Sequence, residues 1–509
     1  MKKDHTKPIN ALLYKEFTSL VIFLSIALFN GLPAQYNQPV ESSIRYYLGI
    51  DDSHLMQNRY PNPAWLYRDN HKNVVRYYFG YNNDNGKFKR PFDPGEKGEM
   101  TYRASGLKRL GDKNVFAGSF SYRNKSLKNK MWVHNSMPYT GIPFLLADSS
   151  TGGFNLNGIL WEVEYASELI QNRLYSGLSI FYNVDEEYKT VFPKSQVKHR
   201  DLSIASGFGI VLNRHVSFGC NFRYFDFQEI LRTTRYSLEQ NKTPIFYKVR
   251  GLDNPLIFRG ETSEERLYAL QGHAFELDGE AKKIIADQIN FTSGYEKARS
   301  QSEDGGAYPI KQGKWFSDKY FFLADFLFKI TQRVGFSLFS FGELNKQTAE
   351  HPDLRIEIYE YRTQKLAGGC SFLYHITDGF NISPGLYFSS QTIKRIDKYN
   401  GILQYFSTSS IGGTISSNFI FWRNLHTDVA FGSELLLLDG FDIYKERTSF
   451  YYDLITKREG EYYKTDKRDY WVKTKFNWIV SPNSRYIICL LYTSPSPRDL
   501  STSRMPSSA

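Results

Sequence analysis

The sequence predicts an all-β protein, a transmembrane antiparallel up-and-down β-barrel of about 16 strands, with 14–18 allowed. Three observations predict it. Between Glu99 and Ile488, runs of roughly ten residues alternate apolar or aromatic with polar side chains. That is the length and period of a strand that crosses a bilayer with lipid on one face and lumen on the other. Paired runs are joined by short turns rich in Asn, Asp and Gly, the chemistry of tight hairpins. Successive pairs are separated by long polar segments, about 125–156, 229–282, 296–318, 344–364 and 440–468. Short turns on one rim and long loops on the other match periplasmic and external sides. A soluble two-sheet sandwich would explain the alternation but not this asymmetry.

The chain opens with a basic leader (Lys2, Lys3, Lys7, Lys15), an uncharged apolar run over Leu20–Phe29, and Leu32-Pro33-Ala34 before Gln35. This reads as a cleaved secretory signal over 1–34. The apolar run is far shorter than the ~20 residues of a spanning helix. Residues 35–72 are polar and irregular, which leaves two alternatives: packing at the periplasmic end or plugging the lumen. The barrel is assigned to 73–488. Cys489–Asp499 (CLLYTSPSPRD) and Ser503–Ala509 (SRMPSSA) resemble two segments of a translated sequencing adapter in one frame. Residues 489–509 are therefore read as not native and the barrel as C-terminally truncated.

An early strand covers Asn73–Tyr81. Hairpins follow at Met100–Leu110 with Val115–Asn124, Gly158–Leu169 with Leu174–Val184, and Leu202–Leu212 with Val216–Gln228. Three more pair Tyr320–Ile330 with Val334–Glu343, Leu366–Ile376 with Phe380–Gln391, and Tyr405–Phe421 with Leu425–Leu438. Tyr470–Val480 opens a further hairpin, whose second strand, after Ser484, is cut by the tail. A short helix over Gly279–Gln288 is expected within an external loop or cap. Parity assigns the faces: Ile159, Trp161, Val163 and Tyr165 share one, with Glu162 and Glu164 opposite. A slip of one residue would put Glu into lipid.

Composition agrees with this class. Tyr, Phe and Trp make up 16% of the chain, and a barrel uses such rings as interfacial girdles. Mean hydropathy is −0.46, because lumen faces and loops are polar. The net charge of +11 is scattered rather than clustered, which gives nucleic-acid binding no support. Outside the tail only Cys220 and Cys370 occur. They read as small buried or lipid-facing hydrophobes, and a disulfide between them stays open.

Lys89-Arg90-Pro91, the run Ala117–Tyr122, and above all Pro138–Ser149 (PYTGIPFLLADS) resemble an uncharacterised outer-membrane β-barrel family of Bacteroidota. The resemblance runs through most of Gln35–Ile488. It implies gene neighbours encoding TonB-dependent receptors, hence a part in nutrient or metal uptake. It supplies no activity and no functional residue. Asn62-Pro63-Ala64 also resembles the Asn-Pro-Ala near the start of long-chain fatty-acid transport barrels.

No catalytic set, cofactor motif or metal motif emerges. His375 sits near Ser371, but beside the short Asp378-Gly379 turn and so on the wrong rim for a phospholipase-type barrel. Asp148 and Glu350-His351 fall in external loops, where such residues are common. The histidines are spread singly, without a metal-ligand spacing. The candidates that remain point into the lumen: Arg103, Glu162, Glu164, Arg223, Asp325, Lys329, Asp428, Glu434, Lys473 and Lys475. Mixed charges of this kind either line a water channel or pair across a closed one. The functional expectation is a channel or transporter for solute uptake, without catalysis. The alternatives are a docking barrel within an envelope complex and a barrel hydrolase. The expected partners are outer-membrane lipid, lipopolysaccharide and, through the resemblance, TonB-dependent receptors or other envelope proteins.

Overall fold

The computed structural model describes residues 62–68, 73–85, 92–135, 141–233, 245–253, 255–259, 265–283, 286–305, 308–377, 379–422, 425–445, 451–452 and 467–480. The signal, the segment 35–61, the strand expected after Ser484 and the tail 489–509 lie outside these residues.

Eighteen strands follow one short 3₁₀ turn, Pro63–Arg68. They are β1 (Asn73–Asn85), β2 (Glu96–Leu110), β3 (Asn114–Val133), β4 (Phe144–Ile170), β5 (Leu174–Lys189) and β6 (Gln196–Val211). Next come β7 (Val216–Arg232), β8 (Ile245–Arg250), β9 (Leu256–Arg259), β10 (Glu265–Lys282), β11 (Gln288–Asp304) and β12 (Ile310–Lys329). The last six are β13 (Val334–Glu350), β14 (Glu357–Thr377), β15 (Phe380–Asp397), β16 (Ile402–Trp422), β17 (Leu425–Lys445) and β18 (Lys467–Val480).

Sixteen of these form the wall of a transmembrane up-and-down barrel. Each pairs antiparallel with its neighbours in sequence, β10 follows directly on β7, and β1 pairs with both β2 and β18. The ring therefore closes, and no strand edge is left bare in lipid. No described helix is long and apolar enough to cross a membrane; this chain crosses with strands. The alternation read from the sequence sets the faces. Ile159, Trp161 and Tyr165 on β4 and Phe218, Phe222 and Tyr224 on β7 are exposed outward. Asn221, Arg223 and Phe225, one residue out of step with the latter, are buried inward. Cys220 and Cys370 are free and partly exposed. They sit on the outward parity of β7 and β14, five strands apart around the ring, which rules out the disulfide left open above.

Two sequence expectations are corrected. The region assigned to loops and a short helix over Gly279–Gln288 contains the wall hairpin β10–β11. β10 runs through Lys282 with Gly279 paired to both Phe218 and Phe291. Small residues (Gly272, Ala274, Gly279, Gly294, Ala298) dilute the alternation there, and the ladders to β7 and β12 settle the strands instead. This hairpin completes the count, so the ring closes without a strand after Ser484. Second, three of the long loops, those expected at 125–156, 296–318 and 344–364, are much shorter than expected. β3 continues to Val133, β12 begins at Ile310, β13 reaches Glu350 and β14 begins at Glu357. Above the lipid the outward face need not be apolar, so the pattern fades while the backbone ladder continues.

Candidate functional site in the barrel lumen

The remaining pair, β8 and β9, and the first residues of β4 leave the wall. Phe144–Asp148 pairs with Phe246–Arg250 at the long-loop end, and Ile245–Lys248 pairs in turn with Leu256–Arg259, so the ribbon has three strands. Its register alternates faces, and both faces are apolar. Phe144, Leu146 and Phe246 pack into one cluster with inward residues of the wall such as Phe225, Trp315, Tyr361 and Phe406. Leu145, Ala147, Tyr247 and Val249 pack with Phe92, Met131 and Tyr451 on the other side. A ribbon apolar on both faces belongs between two walls, and this one stands across the lumen. Each such buried side chain contributes roughly 1.5–3 kcal/mol. Phe144–Asp148, within the Pro138–Ser149 segment singled out in the sequence, thus supplies one strand of this ribbon.

Polar clasps fasten the ribbon to the wall. Arg266 on β10 holds Asp304 on β11 through Nε at 2.5 Å and Nη2 at 3.0 Å, and donates from Nη1 to the Leu145 carbonyl at 3.0 Å. Lys248 on the ribbon reaches the same Asp304 at 3.0 Å. Burial opposes ionisation of Asp304, but these cations outweigh it and hold its carboxyl below the ordinary range. At the β15–β16 tip, Asp397 accepts from the Leu252 N–H at 2.6 Å and from Asn400 Nδ2 at 2.7 Å. Burial nevertheless raises its pKa. Lys189 donates to both oxygens of Asp148 at 2.8 and 2.6 Å. Burial again works against the charge, yet His134 and Lys189 bring the Asp148 carboxyl down to about 2.

Asp148 also meets His134 Nε2 at 2.7 Å, while Ser195 Oγ bonds His134 Nδ1. Ser, His and Asp in series invite a catalytic reading. Against it, all three are at most 3% exposed, the His–Asp contact lacks hydrogen-bond alignment, and Lys189 already neutralises the carboxylate. The cluster fastens the ribbon. The histidines weighed in the sequence fare similarly. His375 Nδ1 lies 2.6 Å from Asn381 Oδ1, whereas Ser371 is paired with Ser337. His351 Nδ1 accepts from the N–H groups of its own turn, Asp353 and Leu354.

At the short-turn end the 3₁₀ turn Pro63–Arg68 sits inside the ring against β3–β6. Asn62 anchors it, with Nδ2 within 3.1 Å of the carbonyls of Phe208 and Cys220 and of Asp278 Oδ1. Its Oδ1 caps the turn by accepting from the Ala64 N–H at 3.0 Å. Trp65 Nε1 also donates to Asp278, and Arg68 pairs with Glu280 at 2.7 Å. Two wall glycines make room: a Cβ on Gly177 would lie 2.3 Å from the Pro63 backbone, and one on Gly207 would lie 1.9 Å from Asn62 Oδ1. The Asn62-Pro63-Ala64 motif is thus the foot of a turn seated inside the ring at its short-turn end.

Between the ribbon and the 3₁₀ turn the wall carries charge. Arg223 lies 3.2 Å from Glu276 and 3.4 Å from Glu296, and Lys319 lies 3.4 Å from Glu296. Two cations and two anions, all buried, cancel across four strands. Glu276, Glu296 and Lys319 went unmarked in the sequence because their partners lie on other strands. Arg103 and Glu162 pair at 3.3 Å and, with Glu164, line a cavity of about 130 Å³ on β1–β4. Glu434 accepts from the Tyr387 hydroxyl at 3.2 Å. Asp325 lies opposite Asn290 and Phe339 in the ladder, and Lys329 at the short-turn rim donates its backbone N–H to Asp287. Asp428 is directly opposite Lys475, and Lys473 opposite Ala430 and Asn82. The lumen charges therefore divide: the Arg223 group pairs across buried strands, and the Arg103 group faces a cavity. Among the described residues no cluster of His, Cys, Asp and Glu suits a metal ion.

Residues 63–502 match the model of a family described as a family of unknown function, DUF6850. The match reaches into the tail that the sequence assigned to an adapter. No curated protein matches the chain. Among solved structures it is similar to a FadL homologue of Pseudomonas aeruginosa, with 12% identity, a TM-score of 0.36, and coverage of 82% of this chain and 92% of that one. It is also similar to the toluene transporter TodX of Pseudomonas putida, at 8% identity and a TM-score of 0.33, covering 84% and 94%. A third similarity is to the siderophore receptor PiuA of Acinetobacter baumannii, at 7% identity and a TM-score of 0.37, covering 80% and 81%.

Proposed function

The chain belongs to this family of unknown function, and we propose that it is a gated outer-membrane transporter for solute uptake, without catalysis. The observation that carries the reading is the pair of plugs, one made by the β4–β8 ribbon and one by Pro63–Arg68, with a charged wall between them. A barrel serving only as a docking body has no need of a separate fastener at each mouth. The long-loop end is external and the short-turn end periplasmic. Export follows from the leader at 1–34, in a Gram-negative host of the Bacteroidota. The ribbon yields to a solute or partner on the outside, and the inner turn yields to release it. Envelope proteins such as TonB-dependent receptors fit as partners. On this reading residues 489–509 are adapter-derived.

Flux tests it. Proteoliposomes holding the full chain are loaded with a panel of small polar solutes, and efflux is followed. Selective efflux of some solutes above protein-free vesicles is expected. Uniformly impermeable vesicles, including those with a released ribbon, would favour a docking role.

A further inference from the structure

The cavity on β1–β4 has an ordered floor. Arg76, Ser105, Ser119 and Glu162 are successive partners across the four strands, so they lie in one row. Val74, Leu107, Ala117 and Glu164 form the next row. With neighbouring strands about 4.8 Å apart, the arginine and glutamate ends of a row stand about 14 Å apart at the backbone. Long side chains reach inward from both ends over two hydroxyls and leave a slot between them. The cavity of about 130 Å³ is comparable to the ~150 Å³ that admits a benzene-sized guest.

Among the described residues, one charge at each end is left without a hydrogen-bond or ion-pair partner. Arg76 has no hydrogen-bond or ion-pair partner among the described residues, and its Nε is buried and unpaired. Glu164 likewise makes no hydrogen bond or ion pair among them, although it lines the same cavity. Glu162 is held by Arg103, whose side chain is 44% exposed to the lumen. Among the described residues the slot therefore has an unpaired Arg76 at one end and an unpaired Glu164 carboxyl at the other. A neutral sugar would leave both without a counter-charge, and a simple anion or cation would satisfy only one.

We propose that this slot binds a small zwitterion, a free amino acid or short peptide. Its carboxylate meets Arg76, its ammonium meets Glu164, and the serines lie beneath its backbone. The proposal rests on the transport reading for its setting and adds the class of solute.

The test uses the detergent-solubilised full chain and calorimetric titration with L-alanyl-L-alanine, its N-acetyl derivative and its C-terminal amide. The free dipeptide is expected to bind, and loss of either charge is expected to weaken binding about tenfold. Arg76→Gln should erase the penalty of amidation and keep that of acetylation; Glu164→Gln should do the reverse. Unchanged barrel mobility on unheated gels shows that each variant is folded. Absence of dipeptide binding, or equal binding of all three compounds, overturns the proposal. The same dipeptide is then loaded into proteoliposomes. Binding without flux of any solute keeps the slot and rejects transport. Flux of other solutes without dipeptide binding keeps transport and rejects the slot.

Discussion

Asn62 Nδ2 stands 3.0 Å from Asp278 Oδ1, a contact across 216 residues of chain that ties the inner plug to the barrel wall. The same nitrogen faces two strand carbonyls, so removing it leaves several buried acceptors unmet. Asn62→Ala should weaken seating of the plug by about 1–3 kcal/mol. Trypsin cleavage after Arg68, followed by mass spectrometry, should accelerate in the variant while the wall remains intact. Unchanged cleavage would mean that the turn is held by other contacts.

Gly177 gives an independent handle on the same plug. A Cβ there would fall 2.3 Å from the Pro63 carbonyl carbon and 2.4 Å from the Ala64 nitrogen, both rigid backbone atoms. Gly177→Val should therefore expel the turn without touching a polar clasp, and strand propensity favours valine in the wall. The expected result is fast cleavage after Arg68 with barrel mobility preserved.

Acid should loosen the outer plug at a definable pH. The Asp148 carboxyl is held at about 2, below the ordinary value of 3.8. Its contribution is therefore complete above the unfolded value and is lost as pH falls from about 4 toward about 2. Trypsin-sized access at Lys248 and Arg250 cannot be read at such pH, so pepsin cleavage of the ribbon is the measurement. Wild type should become susceptible only in this window. Asp148→Asn, which strands Lys189 as a buried cation, should be susceptible at any pH at which pepsin works, by about 3–5 kcal/mol of weakened docking.

The quartet around Arg223 should matter to the wall itself. Arg223→Met leaves Glu276 without its cation and Glu296 with only Lys319. Breaking one member of such a buried group costs about 3–5 kcal/mol, so the temperature at which the folded band is lost on gels should fall clearly. Adding Glu276→Gln should recover part of it, and no recovery would show that the loss is one of packing.

The wall was legible in the sequence wherever a strand faces lipid, because lipid imposes apolar parity on every second residue, as along Ile159–Tyr165. It was illegible where that pressure stops. On β10–β11 the outward apolar side chains are few, Phe275, Leu277 and Phe291, and are interrupted by Gly279 and Ser293, and the upper strands run through water. Asn62-Pro63-Ala64 and Pro138–Ser149 stood out as motifs, but nothing local in them says which strands they meet. Arg103, Glu162 and Glu164 could be found by parity. Arg76 could be found only once β1 was known to lie three strands from Glu162, and Lys319 only once it lay beside Glu296.

Single-molecule conductance in planar bilayers tests the central claim, a closed barrel whose lumen is shut by its own two plugs. Wild-type protein should be silent or open only in brief events. The Gly177→Val protein with Asp148→Asn should conduct steadily at a step size common to all its channels. Steady conductance in wild type, or silence in the doubly released protein that still migrates as a folded barrel, would contradict the account.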